Sequence, residues 1–166
     1  MAQTFLNLAQ GVTGTLPTGN YVQGTNSPSF HAYLSGNQTL SSGPAHKILW
    51  NAERYDSSGV FASNKFTVPS GSAGVYNFFY WGKMSGMDQN ESLNMWLYLN
   101  NSEVHSQASR AKTFSPNTGG DEIHVHGFYT INLSVGDYVE TYANHNEGAD
   151  RPFMAETAGF FGYKLA

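Results

Sequence analysis

Residues 75–81 read Val-Tyr-Asn-Phe-Phe-Tyr-Trp. A β-strand sends successive side chains to opposite faces of its sheet. One face would carry Val75, Phe79 and Trp81, and the other Tyr76, Phe78 and Tyr80. Neither set is polar, so a strand here needs cover on both sides. The domain's own core supplies one cover. The chain has little helical periodicity, so the second cover is expected to be another subunit.

The rest of the chain fits that setting. Charged residues make up only 12% of the 166 positions, aromatics 14%, and glycine occurs 18 times. A helical bundle needs Glu, Lys and Arg on its wet faces. Short strands joined by tight turns do not. Net charge is −4 and no segment concentrates basic residues, which argues against a nucleic-acid footprint. No run of apolar residues approaches the length of a membrane span. With no cysteine, thiolate zinc sites and disulfide frameworks are excluded.

Two regions are expected. The first 46 residues contain no Asp, Glu, Lys or Arg. Within residues 1–28, Phe5, Leu6, Leu8, Val12 and Leu16 are scattered among Gly, Thr, Asn and Gln. This stretch is too apolar for a charged disordered tail and too rich in glycine to fold alone. It reads as an extended arm that orders by docking on something else, through those five side chains. Its start lacks the basic and apolar regions of a secretory signal.

Strand signals separated by turn clusters recur over residues 29–166. They fall at 29–34, 46–52, 60–66, 75–81, 93–99, 123–133, 138–143 and 160–165. Leu93, Met95, Leu97 and Leu99 alternate with Asn94, Trp96 and Tyr98, and Asn100-Asn101 then makes a hairpin turn. Eight or so short strands without a helix mean an all-β, antiparallel jelly-roll β-sandwich with an extended N-terminal arm.

Several short motifs in order carry a resemblance. They are Tyr55-Asp56, Gly59-Val60-Phe61, Phe66-Thr67-Val68-Pro69, Gly74-Val75-Tyr76-Asn77-Phe78 and Leu99-Asn100-Asn101. Leu133-Ser134-Val135-Gly136-Asp137-Tyr138-Val139 and Phe160-Phe161-Gly162-Tyr163-Lys164-Leu165 complete the series. Over residues 29–166 the chain resembles the globular head of complement C1q, the tumour-necrosis-factor-like jelly roll. Two features depart from that pattern. The turn over residues 69–74 is longer, and the uncharged arm stands where animal members carry a collagen-like stalk. An arm of this phrasing before such a head also resembles small structural proteins of tailed, especially marine, bacteriophages.

The resemblance implies a compact homotrimer that buries an aromatic face of each subunit. Tyr76, Phe78, Phe79, Tyr80, Trp81, Trp96 and Tyr98 are the expected interface residues.

The remaining residues hold few catalytic patterns. His124-Val125-His126 places two imidazoles on one strand face, as in the metal motif of cupin enzymes. A cupin needs a Glu three or four residues later, which does not follow, and the distal segment 136–145 lacks the expected Pro and Gly. Gly-x-Ser-x-Gly and phosphate-loop patterns are absent, and the acids Asp121-Glu122 sit beside a glycine-rich turn. The loop over residues 144–150 is rich in oxygen ligands, and Glu147 and Asp150 are its calcium candidates. No other cofactor is expected.

The sequence is therefore read as a non-enzymatic virion structural protein of a tailed phage. Its trimeric head would sit on the particle by the arm, as a capsid decoration (cement) protein or a short fibre knob. Expected partners are two further copies, virion proteins such as the major capsid protein or a fibre or tail protein, and a host-surface glycan. Nucleic acid and membrane are not expected partners. Two alternatives are a receptor- or carbohydrate-binding head and a cupin-like metalloenzyme.

Overall fold

A computed structural model of the chain describes residues 26–104, 109–116, 120–155 and 157–165. Phe5, Leu6, Leu8, Val12 and Leu16 lie outside the described residues.

Among the described residues every regular element is a strand. In chain order they are β1 (Ser29–Tyr33), β2 (Gln38–Leu40), β3 (His46–Lys47), β4 (Ala52–Asp56), β5 (Phe61–Ala62), β6 (Lys65–Thr67) and β7 (Gly74–Met87). There follow β8 (Ser92–Leu99), β9 (Ser102–Glu103), β10 (Ala111–Phe114), β11 (Asp121–Leu133), β12 (Tyr138–His145), β13 (Arg151–Phe153) and β14 (Gly159–Lys164). They form two seven-stranded sheets. The first runs β2-β13-β7-β14-β1-β4, with β11 pairing β7. The second runs β10-β8-β12-β6-β5, with β3 on β12 and β9 on β8. All pairings are antiparallel. The expected all-β jelly-roll sandwich is the observed architecture.

Some boundaries differ from the sequence reading, for local reasons. The stretch 60–66 is a hairpin rather than one strand, because Ser63 and Asn64 turn the chain with φ of 53° and 61°. Residues 46–52 split into the ends of two strands in different sheets, β3 and β4. The aromatic strand continues past Trp81 to Met87, where polar and glycine positions had hidden it. β2, β9, β10 and β13 are two to four residues long, too short to show a period.

The core lies between the sheets and is aromatic. The ring of Phe30 in β1 stacks on Phe61 at 4.8 Å and Phe66 at 5.3 Å, both from the opposite sheet. Phe160 meets it edge-on at 4.9 Å, and Phe78 lies 5.4 Å from Phe66. Each such ring contributes on the order of 2–3 kcal/mol by leaving water. Polar tips in this core have partners. The Trp50 indole donates to Thr141 Oγ1 at 2.7 Å, and the Tyr76 hydroxyl donates to the Ser72 carbonyl at 2.6 Å. Burial pushes the Tyr76 and Tyr80 hydroxyls up to about 12.

The turn motifs act as locks. The Asp56 carboxylate accepts from the backbone N–H of Val60 at 3.0 Å and of Phe61 at 2.8 Å, folding residues 56–61 back on themselves. Asn100 donates to Asp137 Oδ1 at 2.8 Å and accepts from the Tyr138 N–H at 3.0 Å. That exchange ties the β8–β9 turn to the start of β12.

Candidate self-association face

In β7 the even residues Tyr76, Phe78, Tyr80 and Met84 are buried, while Val75, Asn77, Phe79, Trp81 and Lys83 are only half-buried. The odd residues point away from the sandwich. Strand register then decides what lies beside them. Tyr55 of β4 pairs with His31 of β1, His31 with Phe161 of β14, Phe161 with Phe79, and Phe79 with Phe128 of β11. The result is one row of five rings across five strands. Successive centroids lie 6.1, 6.2, 5.5 and 6.0 Å apart.

A second row runs beside it. Tyr33 pairs with Gly159, Gly159 with Trp81, and Trp81 with His126. The Trp81 indole lies across Gly159 and meets the His31 ring edge-on at 5.5 Å. Phe79, Trp81, His126, Gly127 and Phe128 help to line a shallow concavity of about 560 Å³. Polar groups border the rows. On one side Asn77 donates to the Tyr163 hydroxyl at 3.2 Å and accepts from Thr130. On the other, Lys83 pairs with Glu122 at 2.9 Å.

The face is apolar and open in the single chain. Phe128 is 68% exposed and Tyr55 43%. Burial, and secondarily the Arg54 cation, hold His31 below its ordinary value of 6.5. Contiguous exposed apolar patches are characteristic of interaction sites.

Of the expected interface residues, Phe79 and Trp81 stand on this face. Tyr76, Phe78 and Tyr80 do not, and this corrects the sequence reading. They take the inward positions of the same pleat and fill the core at 0 to 1% exposure. Trp96 and Tyr98 also lie elsewhere, on the outward side of β8 in the second sheet, where Arg110 covers the Trp96 ring at 4.2 Å. They are therefore on the opposite flank of the sandwich from Phe79. His31, Tyr55, Phe128 and Phe161 also stand on this face and were not among the expected residues. Each sits at an outward position of a recognised strand or motif, but only cross-strand register shows that they align.

The remaining candidates are less gathered. Glu147 is engaged with the Arg151 guanidinium and with the Ala149 N–H at 3.1 Å. Asp150 is exposed. His124 and His126 are exposed on β11. Among the described residues, no group of three or more His, Cys, Asp or Glu stands where it could hold a metal ion.

No family model and no curated protein matches the chain. Solved structures do. The globular domain of zebrafish complement 1qA protein superposes with a TM-score of 0.58, covering 84% of this chain and 98% of that one at 19% identity. The chain has the complement C1q/TNF-like jelly-roll fold. The structure of Eiger TNF from S. frugiperda also superposes, with a TM-score of 0.52, 83% of this chain and 90% of that chain covered, and 16% identity. Within this C1q/TNF-like fold, the aromatic rows occupy the outer side of the first sheet and leave the second sheet's outer side free of them.

Proposed function

We propose that this chain is a non-enzymatic virion structural protein of a tailed bacteriophage. Its jelly-roll head is a homotrimer closed by the first sheet's aromatic face, and it is docked on the particle by residues 1–28. The observation that carries the trimer is the five-ring row from Tyr55 to Phe128, an apolar surface that nothing else in the chain's described residues covers. The C1q/TNF-like fold supports it, since the resemblance associates such heads with compact threefold assemblies. Three copies sharing the face would remove several rings per subunit from water, enough to hold the trimer together at micromolar concentration.

The virion role rests on the uncharged arm and on the likeness of its phrasing to phage structural proteins. Capsid decoration or a short fibre knob both fit a small head on a docking segment. Removing residues 1–23 tests this directly. The expected product is a folded, still trimeric head that no longer attaches to particles. Unchanged occupancy on particles would refute docking by the arm.

Host-glycan binding is a second reading. A tyrosine-rich surface on the second sheet favours it.

A further inference from the structure

The outward side of the second sheet is built differently from the aromatic rows of the first. Its centre is Glu140 on β12, only 4% exposed. Lys47 donates to Glu140 Oε1 at 2.5 Å. Around this pair stand Tyr98, Tyr138 and Tyr142, all half-buried. The Tyr98 and Tyr142 rings lie 4.0 Å apart, and Trp96 is 6.5 Å from Tyr98. The Tyr142 hydroxyl is held above its ordinary value by burial, and then by Glu140, Tyr98 and Tyr138.

Four of the chain's eight Lys and Arg residues border this surface: Lys47, Lys65, Arg110 and Lys112. Two carboxylates sit among them, and both are engaged, Glu140 with Lys47 and Glu103 with Arg110 at 2.9 Å. Lys65 and Lys112 are left without a carboxylate among the described residues. Lys65 lies over the Tyr138 ring at 4.1 Å. Lys112 pairs with Asn94, which pairs with Asn144 of β12. Lys112 lies over the Phe114 ring at 4.5 Å. Tyr138 and Asn144 are six residues apart on one strand, so the two cations without a carboxylate stand about 20 Å apart along it.

The polar groups beneath this surface are incompletely paired. Among the described residues, four buried side-chain polar atoms lack a hydrogen-bond partner, and three are on this surface: Trp96 Nε1, Arg110 Nε and Glu140 Oε2. A buried polar group left unpaired costs stability, so native proteins keep few of them. These three atoms lie beneath the tyrosines, out of reach of anything stacked on them, so recognition at this surface falls to its rings and cations.

We propose that this face binds an acidic oligosaccharide, a chain of pyranose rings bearing carboxylates. The C–H face of a pyranose carries slight positive charge and stacks on the negative face of a tyrosine ring. Its hydroxyls both donate and accept, as tyrosine hydroxyls do. Its carboxylates match Lys65 and Lys112, and their spacing calls for several sugar units. An acidic peptide fits less well. Extended peptides add to a sheet edge or enter a groove, and this is the flat centre of a sheet. The surface lies on the opposite side from the proposed trimer contact, so assembly would leave three copies of it open. The inference rests on the glycan-binding reading and is independent of the docking arm.

The test uses the full chain, with tetragalacturonate as the acidic probe and maltotetraose as the neutral one, followed by calorimetry and tryptophan fluorescence. Tetragalacturonate should bind with a Kd below about 1 mM and maltotetraose at least about tenfold more weakly. Raising salt from 0.05 to 0.5 M should weaken the acidic probe by about tenfold. Lys65→Glu/Lys112→Glu, at exposed or half-buried cations, should lose binding while keeping the wild-type Tm. Equal binding of the two sugars, no binding by folded protein, or binding unchanged in the double variant would each overturn the proposal. So would polyglutamate binding as tightly as tetragalacturonate. None of these results bears on trimer mass, which is measured separately.

Discussion

Trp81 lies flat across Gly159. A Cβ built on Gly159 would stand 2.3 Å from the indole Cζ2 and 2.6 Å from Cη2. That glycine is what lets β7 and β14 pair with a large ring on their outer side. Gly159→Ala must therefore expel the ring or part the strands. It should cost about 1–3 kcal/mol, the usual range for overpacking, and lower Tm by several degrees in a scanning calorimeter. A Tm equal to wild type would mean that the indole is not seated there.

Phe78 and Phe79 are adjacent in sequence but have opposite fates. Phe78 is fully buried between the sheets, while Phe79 stacks on Phe161 at the open face. Phe78→Ala should destabilise every form of the protein by about 3–5 kcal/mol. Phe79→Asp should leave a folded monomer, because its charge is hydrated in the single chain and unpaired only in the assembly. Denaturant curves and light scattering separate the two outcomes. A trimeric Phe79→Asp variant would remove that residue from the interface.

Lys47 and Glu140 form a largely buried ion pair, with side-chain exposures of 26% and 6%. Lys47→Met leaves the Glu140 carboxylate without its cation and should cost about 3 kcal/mol. Lys47→Met/Glu140→Leu should recover most of that loss, since the cost lies in the uncompensated charge. Urea denaturation of the two variants checks it. A double variant no more stable than the single one would place the cost elsewhere.

His31 gives stability a pH dependence. Burial, then the Arg54 cation, depress its protonation in the folded chain below the ordinary 6.5. The unfolded chain therefore binds more protons than the folded one as pH falls below 6.5, so His31 opposes folding there and not above it. Tm should fall from pH 7 to pH 5, and His31→Phe should flatten that slope. Covering the face with further copies buries His31 more deeply, so the slope should steepen as protein concentration rises. An identical slope in the variant would show that the ring is not responsible.

Fold class was legible because periodicity and turn chemistry are local. The alternation in β8 and the turn at Asn100-Asn101 can be read without any partner strand. The residues of the aromatic face were only half legible. Alternation shows that Phe79 and Tyr80 face opposite ways, but it does not say which way is inward. That depends on where the other sheet lies. The row through His31, Phe161 and Phe128 depends on register among strands far apart in sequence. The second-sheet surface was hidden for the same reason, since Lys47 meets Glu140 across 93 positions.

Sedimentation equilibrium on the full chain at about 5 µM tests the shared aromatic face most directly. A single species of three times the 18.1 kDa chain mass is the predicted result. A stable species of one chain mass, with Phe128 and Tyr55 left in water, would contradict it.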